Sequence, residues 1–346
     1  MSRFLQLHLL TFYPPANLNR DDTGRPKTAV IGGAQRLRLS SQSLKRAWRM
    51  SDDFKMALGD NHGERTQRIG EVIRDHLITL GTPLAKALSI ARDIVPVFGK
   101  LKPETDKNPT RTEQLTFISP EERAAALDMA EQIASGLKIT VTPKSLLGQR
   151  DTAVDIAMFG RMLADTPDYN REAAVQVAHA FSTHKVAIED DYFTAVDDLK
   201  RPAEDAGAAF FGEASFASGL FYLYLCIDIA LLARNLSDPE LGGVALAALV
   251  RAAATVAPAG KQAGFASRAR AHYILAEAGD QTPRTLAAAF LKPIDDVDPL
   301  GASLRALIKL RDDMDTAYGP CATARCEMQV GGHGSLDGII AFCRAA

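Results

Sequence analysis

The chain has 346 residues, with 40 Lys and Arg against 42 Asp and Glu, and its formal net charge is −2. Hydrophobic residues make up 47% and charged residues 24% of the sequence, a globular composition that excludes disordered, collagen-like and coiled-coil chains. The length corresponds to about two domains or one elaborated domain. The balanced total charge disfavours a nucleic-acid binder, because such proteins usually carry a basic excess.

We expect a cytoplasmic protein without a membrane segment. The N-terminus lacks the basic-then-apolar pattern of a signal peptide. The longest apolar run, Leu220–Ala233, contains Asp228 and is too short to span a bilayer. Four cysteines are too few for a disulfide scaffold in a chain of this length.

The first elements along the chain are a strand, a loop and a helix. Residues 3–12 alternate between apolar and polar side chains, which predicts a half-buried strand. Residues 13–39 are rich in turn-forming residues and predict a loop with a short strand at 35–39. Ser40 or Ser41 then caps a predicted helix that runs through Trp48.

Residues 63–138 have helical periodicity, interrupted by a polar loop at 100–111. Ser119-Pro120-Glu121-Glu122 is a capping box with Pro at the first helical position, and this predicts a helix that ends at Gly136. The later elements are predicted as a strand at 154–159, a helix at 171–184, a strand at 220–229, a helix at 239–256, a strand at 272–275 and a helix at 299–317.

The two clearest strands each have an apolar face and a polar or aromatic face. This alternation is typical of a sheet with helices on one side only, whereas a doubly wound parallel sheet buries both faces. The sequence therefore predicts the α+β class.

Motifs of catalysis and of metal binding are weak, and we expect no cofactor and no bound metal. Gly260-Lys261-Gln262 resembles a phosphate loop but lacks the Ser or Thr. Turn-forming roles are favoured for Gly331–Gly334 and for the two acidic pairs, Asp21-Asp22 and Asp190-Asp191. The zinc-like set of Cys321, Cys326, His333 and Cys343 has poor spacing, and His179 and His184 are interpreted as core or polar-surface histidines.

The charge is unevenly distributed along the chain. Residues 1–50 contain nine basic and two acidic side chains, a net charge of +7, so the remaining residues carry −9. Arg36 and Arg38 share a strand face, and Gln42, Lys45 and Arg49 share one stripe of the following helix. This region is interpreted either as a site for a phosphate backbone or as a solvated basic face, and the spacing leaves both open.

Several of these residues resemble the CasC family, the backbone subunits of type I-E CRISPR Cascade complexes. The matching segments follow the family order from residue 4 to about 276, and the two longest are specific. The full set of matching segments is Leu18-Asn19-Arg20-Asp21-Asp22 with Gly32-Gly33 and Arg36 to Ala47, Val154 to Ala157, Gly160-Arg161-Met162, Ala178-His179-Ala180, Thr183-His184, Phe193 to Leu199, Ser218-Gly219 and Gly260-Lys261-Gln262.

The resemblance implies an RRM/ferredoxin-like palm, a helical fingers insertion and a thumb hairpin. The corresponding boundaries are 1–62, 139–188 and 218–346 for the palm with the C-terminal helices, 63–138 for the fingers and 189–217 for the thumb. It also implies a set of RNA-binding residues. These are Arg20, Lys27, Arg36, Arg38, Ser40, Gln42, Lys45, Arg46, Arg49, Arg161, Met162, Leu199, Lys261 and Gln262.

The function implied by the resemblance is that of a non-catalytic subunit that polymerises head to tail along CRISPR RNA. Its further partners are the target DNA strand and other Cascade subunits. We expect the acidic segment 188–205 to meet the basic region of a neighbouring copy. The alternative is a metal-dependent RNA-cleaving backbone subunit that uses Asp21 and Asp22.

Overall fold

The computed structural model describes residues 2–150, 152–195 and 210–346. The chain forms two compact units. The first unit comprises Met1–Phe54, Val177–Cys226 and Leu249–Ala346, and the second comprises Lys55–Gln176 and Ile227–Ala248. The second unit contains the predicted fingers insertion of residues 63–138 but extends beyond it on both sides.

The strands are β1 (Phe4–Ala16), β2 (Thr28–Ile31), β3 (Ala34–Leu39), β4 (Glu64–Thr66), β5 (Thr116–Ile118), β6 (Val175–Val177), β7 (Ala180–Ser182), β8 (Glu189–Ala195), β9 (Phe210–Asp228), β10 (Tyr273–Gly279) and β11 (Ala324–Gln329). The helices are α1 (Ser41–Met50), α2 (Asp52–Leu58), α3 (Ile69–Thr79), α4 (Leu84–Ile94), α5 (Pro120–Ala134), α6 (Pro143–Leu146), α7 (Val154–Phe159), α8 (Ile229–Asn235), α9 (Leu241–Thr255), α10 (Gln262–Phe265), α11 (Pro299–Tyr318) and α12 (Leu336–Ala345). Within the described residues, no helix is both long and apolar enough to cross a membrane.

The first unit is built on one large sheet with the strand order β11-β10-β1-β9-β7-β3-β2. The pairs β1–β10, β10–β11, β2–β3, β3–β7 and β7–β9 are antiparallel. This sheet confirms the predicted α+β class. Strand β8 pairs antiparallel with the first residues of β9, so that residues 189–195 and 210–216 form the arms of the predicted hairpin.

The prediction that β1 is half-buried was wrong, because both of its faces are buried from Leu5 to Leu10. His8 lies on the polar face, where its ring nitrogens are 2.8 Å from Tyr222 Oη and 3.2 Å from Glu277 Oε2. Burial alone would raise the pKa of Glu277, but hydrogen bonds from His8, Arg284 and Arg325 outweigh it and lower the pKa. A polar strand face can therefore be buried because its groups are paired.

In the second unit, helices α3, α4 and α5 enclose an apolar core that includes Ile73, Leu77, Ile90 and Ala130. The capping box predicted at the start of α5 is present. Ser119 Oγ accepts from the Glu122 backbone N–H at 3.2 Å, and Glu122 Oε2 accepts from the Ser119 N–H at 3.0 Å.

Two predicted elements differ in type from the structure. Residues 154–159 are the helix α7 rather than a strand. All but the last of its residues are buried. A segment that is buried on every side has neither the alternation of a strand nor the 3.6-residue repeat of a surface helix, so its sequence does not distinguish the two. The predicted helix at 171–184 is instead occupied by the short strands β6 and β7. In three-residue strands, tertiary pairing decides the structure, as in the pairing of β7 with β3.

Candidate nucleic-acid interface

Ser40 joins β3 to α1 and organises the basic region of the first unit. Its Oγ caps the helix by accepting from the Ser43 N–H at 3.4 Å, and its own N–H donates to Asn19 Oδ1 at 2.9 Å. The loop before β2 is therefore attached to the start of α1. Residues 41–43 follow the cap, where helix N–H groups favour anions.

A group of basic side chains converges next to this junction. Arg38 Nη1 lies 2.8 Å from His179 Nδ1, although the two residues are 141 positions apart in the chain. The pKa of His179 is lowered by partial burial and then by the positive charges of Arg38, Lys27 and Lys45. We call Lys27, Arg38, Lys45 and His179 the cationic face. His179 was not among the predicted site residues; the match at Ala178-His179-Ala180 was its only signal in the sequence.

A second surface, the arginine groove, lies along another side of α1 and has a volume of about 960 Å³. It is lined by Arg20, Arg46, Arg268 and Gln262, together with Met50. Arg20, Arg46 and Arg268 are exposed. The tertiary structure thus brings the C-terminal segment around Lys261 and Gln262 to the basic N-terminal region, as the predicted site requires.

Gly260 allows this approach because a Cβ at this position would lie 2.4 Å from the Leu18 carbonyl oxygen. Lys261 is exposed and has a left-handed backbone with φ 54°. Gln262 Nε2 donates to the Pro258 carbonyl at 3.0 Å, while its Oε1 is buried without a partner among the described residues. The Gly-Lys-Gln segment is therefore a tightly packed turn beside the groove.

Acidic residues also line the groove, and Asp21 is held in a turn. Asp21 Oδ1 accepts from the Thr23 Oγ1 at 2.7 Å, from the Thr23 N–H at 2.9 Å and from the Arg25 N–H at 3.0 Å. The hydrogen bond from the Thr23 hydroxyl is the main reason that the pKa of Asp21 is lowered. These contacts fit the turn-forming role. No group of three or more potential metal ligands occurs in the part of the chain that the structure describes.

Two predicted contacts of the first unit need correction. Arg36 is fully buried, and its guanidinium donates to the carbonyls of Ser182 and Phe290, both at 2.9 Å. A buried guanidinium bound to two carbonyls stabilises the sheet and is inaccessible to a phosphate. Arg49 is only 8% exposed and adds little to the surface, whereas Gln42, on the same helix stripe, is exposed.

Arg161 belongs to the second unit, where it is also buried rather than available to RNA. Its Nη1 lies 2.6 Å from Glu122 Oε2, and the two side chains are 1% and 3% exposed. The neighbouring Met162 is 82% exposed, so its position fits a contact with a base. The predicted contact Leu199 lies outside the described residues.

The hairpin arms carry exposed acidic and aromatic side chains. Asp190 contacts its own chain, 3.4 Å from Arg25 Nη2, and accepts from Ser215 Oγ at 2.6 Å. Tyr192 stacks on Phe211 across the two strands with ring centroids 6.1 Å apart. Of the predicted acidic contacts with a neighbouring copy, Asp190 is therefore engaged within the chain. Asp197, Asp198, Glu204 and Asp205 lie outside the described residues.

Comparisons with known proteins agree over nearly the whole chain. A family model described as CT1975-like protein matches residues 5–335. One solved chain, from a "CRISPR RNA-guided surveillance complex, pre-nicking", is 28% identical with a TM-score of 0.84, and the match covers 99% of this chain and 98% of that chain. A second, from a "CRISPR RNA-guided surveillance complex", is 23% identical with a TM-score of 0.65 and 99% coverage of both chains, which shows a shared fold. The comparison with curated proteins gave no match.

Proposed function

The chain belongs to the CT1975-like protein family, and from this premise we propose that it is a guide-RNA-binding subunit of a CRISPR surveillance complex. In the finer form of the proposal, it is a type I-E backbone subunit. Copies of it assemble head to tail along the RNA and present guide bases to a target DNA strand, next to other subunits of the complex.

The cationic face is the observation that carries the RNA-binding part of the proposal. Lys27, Arg38 and Lys45 come from a loop, a strand and a helix and act together on the pKa of one histidine. Like charges brought together on a surface repel one another, and a phosphate backbone relieves this repulsion. Gln42, Arg20, Arg46, Lys261 and Gln262 remain in the proposed RNA-binding set as polar and basic residues of the same unit. Ser40, in contrast, is 7% exposed and serves as the cap of α1.

The experiment is a titration of the nucleic-acid-free full-length protein with single-stranded RNA at several salt concentrations. Replacing Lys27 and Lys45 by Ala removes two cations, so we expect weaker binding and a fall of about 1.4 in the slope of log K against log salt. Lys309→Ala is the matched control, because Lys309 is an exposed lysine of α11 that pairs with Asp313. An unchanged slope in the Lys27/Lys45 variant would contradict this role of the face.

Head-to-tail assembly is supported by strand β8, in which every residue from Glu189 to Ala195 is exposed and so accessible to a heterologous contact that builds a helix. The test is the mass of complexes formed on RNAs of increasing length. Stepwise addition of copies with a fixed number of nucleotides per copy is expected. A constant stoichiometry of one copy on RNAs of every length would contradict assembly.

We also propose that the subunit is non-catalytic. The turn contacts of Asp21 support this proposal, because Oδ1 already accepts three hydrogen bonds. Incubation of the assembled protein and guide with complementary RNA and Mg²⁺ tests it. Intact RNA is expected. Cleavage at regular intervals that is lost in Asp21→Asn or Asp22→Asn would establish the alternative, a metal-dependent RNA-cleaving subunit.

A further inference from the structure

His179 has a defined protonation state in the free protein. An arginine guanidinium only donates hydrogen bonds, so the contact with Arg38 Nη1 at 2.8 Å makes His179 Nδ1 the acceptor. The ring is then neutral and its proton is on Nε2. The residue is exposed, and no described residue accepts from Nε2. One N–H donor is therefore free to contact a ligand on the cationic face.

The charged groups around His179 explain why it stays neutral. Arg38 on β3, Lys27 before β2 and Lys45 on α1 are the charged residues that act on it, and all three are positive. Together with partial burial, they lower its pKa. An anion placed among these cations would reverse this effect, because phosphate favours the imidazolium form.

We propose that His179 is an RNA-contacting residue and that it takes up a proton from solvent when RNA binds to the cationic face. This inference rests on the RNA binding proposed above. In the complex, the imidazolium donates from both nitrogens to phosphate or ribose oxygens. Arg38, released from Nδ1, directs its guanidinium to a phosphate in the same way.

The sign of the pH dependence follows from proton linkage. RNA-bound protein holds more protons than free protein in the pH range between the pKa values of His179 in the two states. Affinity must therefore rise as the pH falls through this range, by at most tenfold for each unit by which RNA raises the pKa.

The experiment measures the affinity of the full-length, nucleic-acid-free protein for an oligouridylate RNA between about pH 8 and about pH 6 at constant ionic strength. Wild-type affinity should rise by about three- to tenfold. His179→Asn keeps an acceptor for Arg38 but cannot titrate, so it should lose most of this gain. His333→Ala, a control at an exposed histidine outside the cationic face, should keep it.

The outcomes separate this inference from the proposed function. Wild-type protein that binds RNA with no pH-dependent gain, or a gain that His179→Asn retains, would overturn the role of His179 and leave RNA binding intact. Absence of RNA binding by the wild type would overturn both. Unchanged thermal melting of His179→Asn at about pH 8 shows that the variant is folded, because the side chain is exposed.

Discussion

Two regions in which RNA-binding arginines were predicted differ in structure. The cationic face presents Arg38 at the surface beside Lys27, Lys45 and His179, whereas Arg161 in the second unit is buried against Glu122. In the first region, the positive charges lie close enough together for each of them to lower the pKa of His179. In the second, the fold itself supplies the counter-charge, because an unpaired buried charge is too costly. An arginine therefore marks an RNA contact only where its guanidinium remains accessible.

The largest effect is expected in the buried pair. Arg161→Met leaves Glu122 buried without its cation and should lower the free energy of unfolding by about 3–5 kcal/mol, measured by urea denaturation. The double variant Arg161→Met with Glu122→Gln should lose less than Arg161→Met alone, since no buried charge remains. A loss of RNA affinity without any loss of stability would show that Arg161 is an RNA contact after all.

Arg36 and Arg38 provide the same comparison within one strand. Arg36→Met leaves the Ser182 and Phe290 carbonyls without donors and should cost about 2–4 kcal/mol of stability. Arg38→Ala should change stability by less than about 0.5 kcal/mol and weaken RNA binding. Urea denaturation and RNA titration of both variants decide the assignment. The reverse pattern would refute the division into structural and RNA-binding arginines.

Gly260 tests whether the C-terminal segment must lie close to Leu18. Gly260→Ala places a methyl group against the Leu18 carbonyl and should cost about 1–3 kcal/mol, with a lower Tm. Gly264→Ala is the matched control, because a Cβ there meets no atom within 4 Å. Equal Tm values for the two variants would show that this close approach does not constrain the fold.

The smallest effect is expected for the helix cap at the start of α1, where a change in local structure can be distinguished from the loss of a positive charge. Ser40→Ala removes the helix cap and should lower stability by about 1 kcal/mol. It removes no cation, so the salt dependence of RNA binding should keep the wild-type slope even if affinity falls. A decrease in slope comparable to the one expected for the Lys27/Lys45 variant would mean that Ser40→Ala has displaced the cations of α1.

The sequence was sufficient wherever a local signal was strong. Hydrophobic periodicity and helix capping act over a few residues and can be read locally. They predicted the first strand, the capped helices α1 and α5, and the amphipathic helices of residues 63–138. The concentration of positive charge in residues 1–50 was also visible directly. The residue blocks that resemble the CasC family led to the same family of complexes as the full-length comparisons.

Only the tertiary structure decided which side chains of that region face solvent. Arg36 and Arg38 alternate correctly for a shared strand face, yet Arg36 finds two carbonyl acceptors, one of them 254 residues away, and is buried. His179 joins the cationic face because β7 pairs with β3, and such pairing between distant segments has no local signature. Residue type and spacing determined the charge of this surface. Long-range packing, through the cost of burying unpaired charge, determined which of those side chains are buried and which remain at the surface.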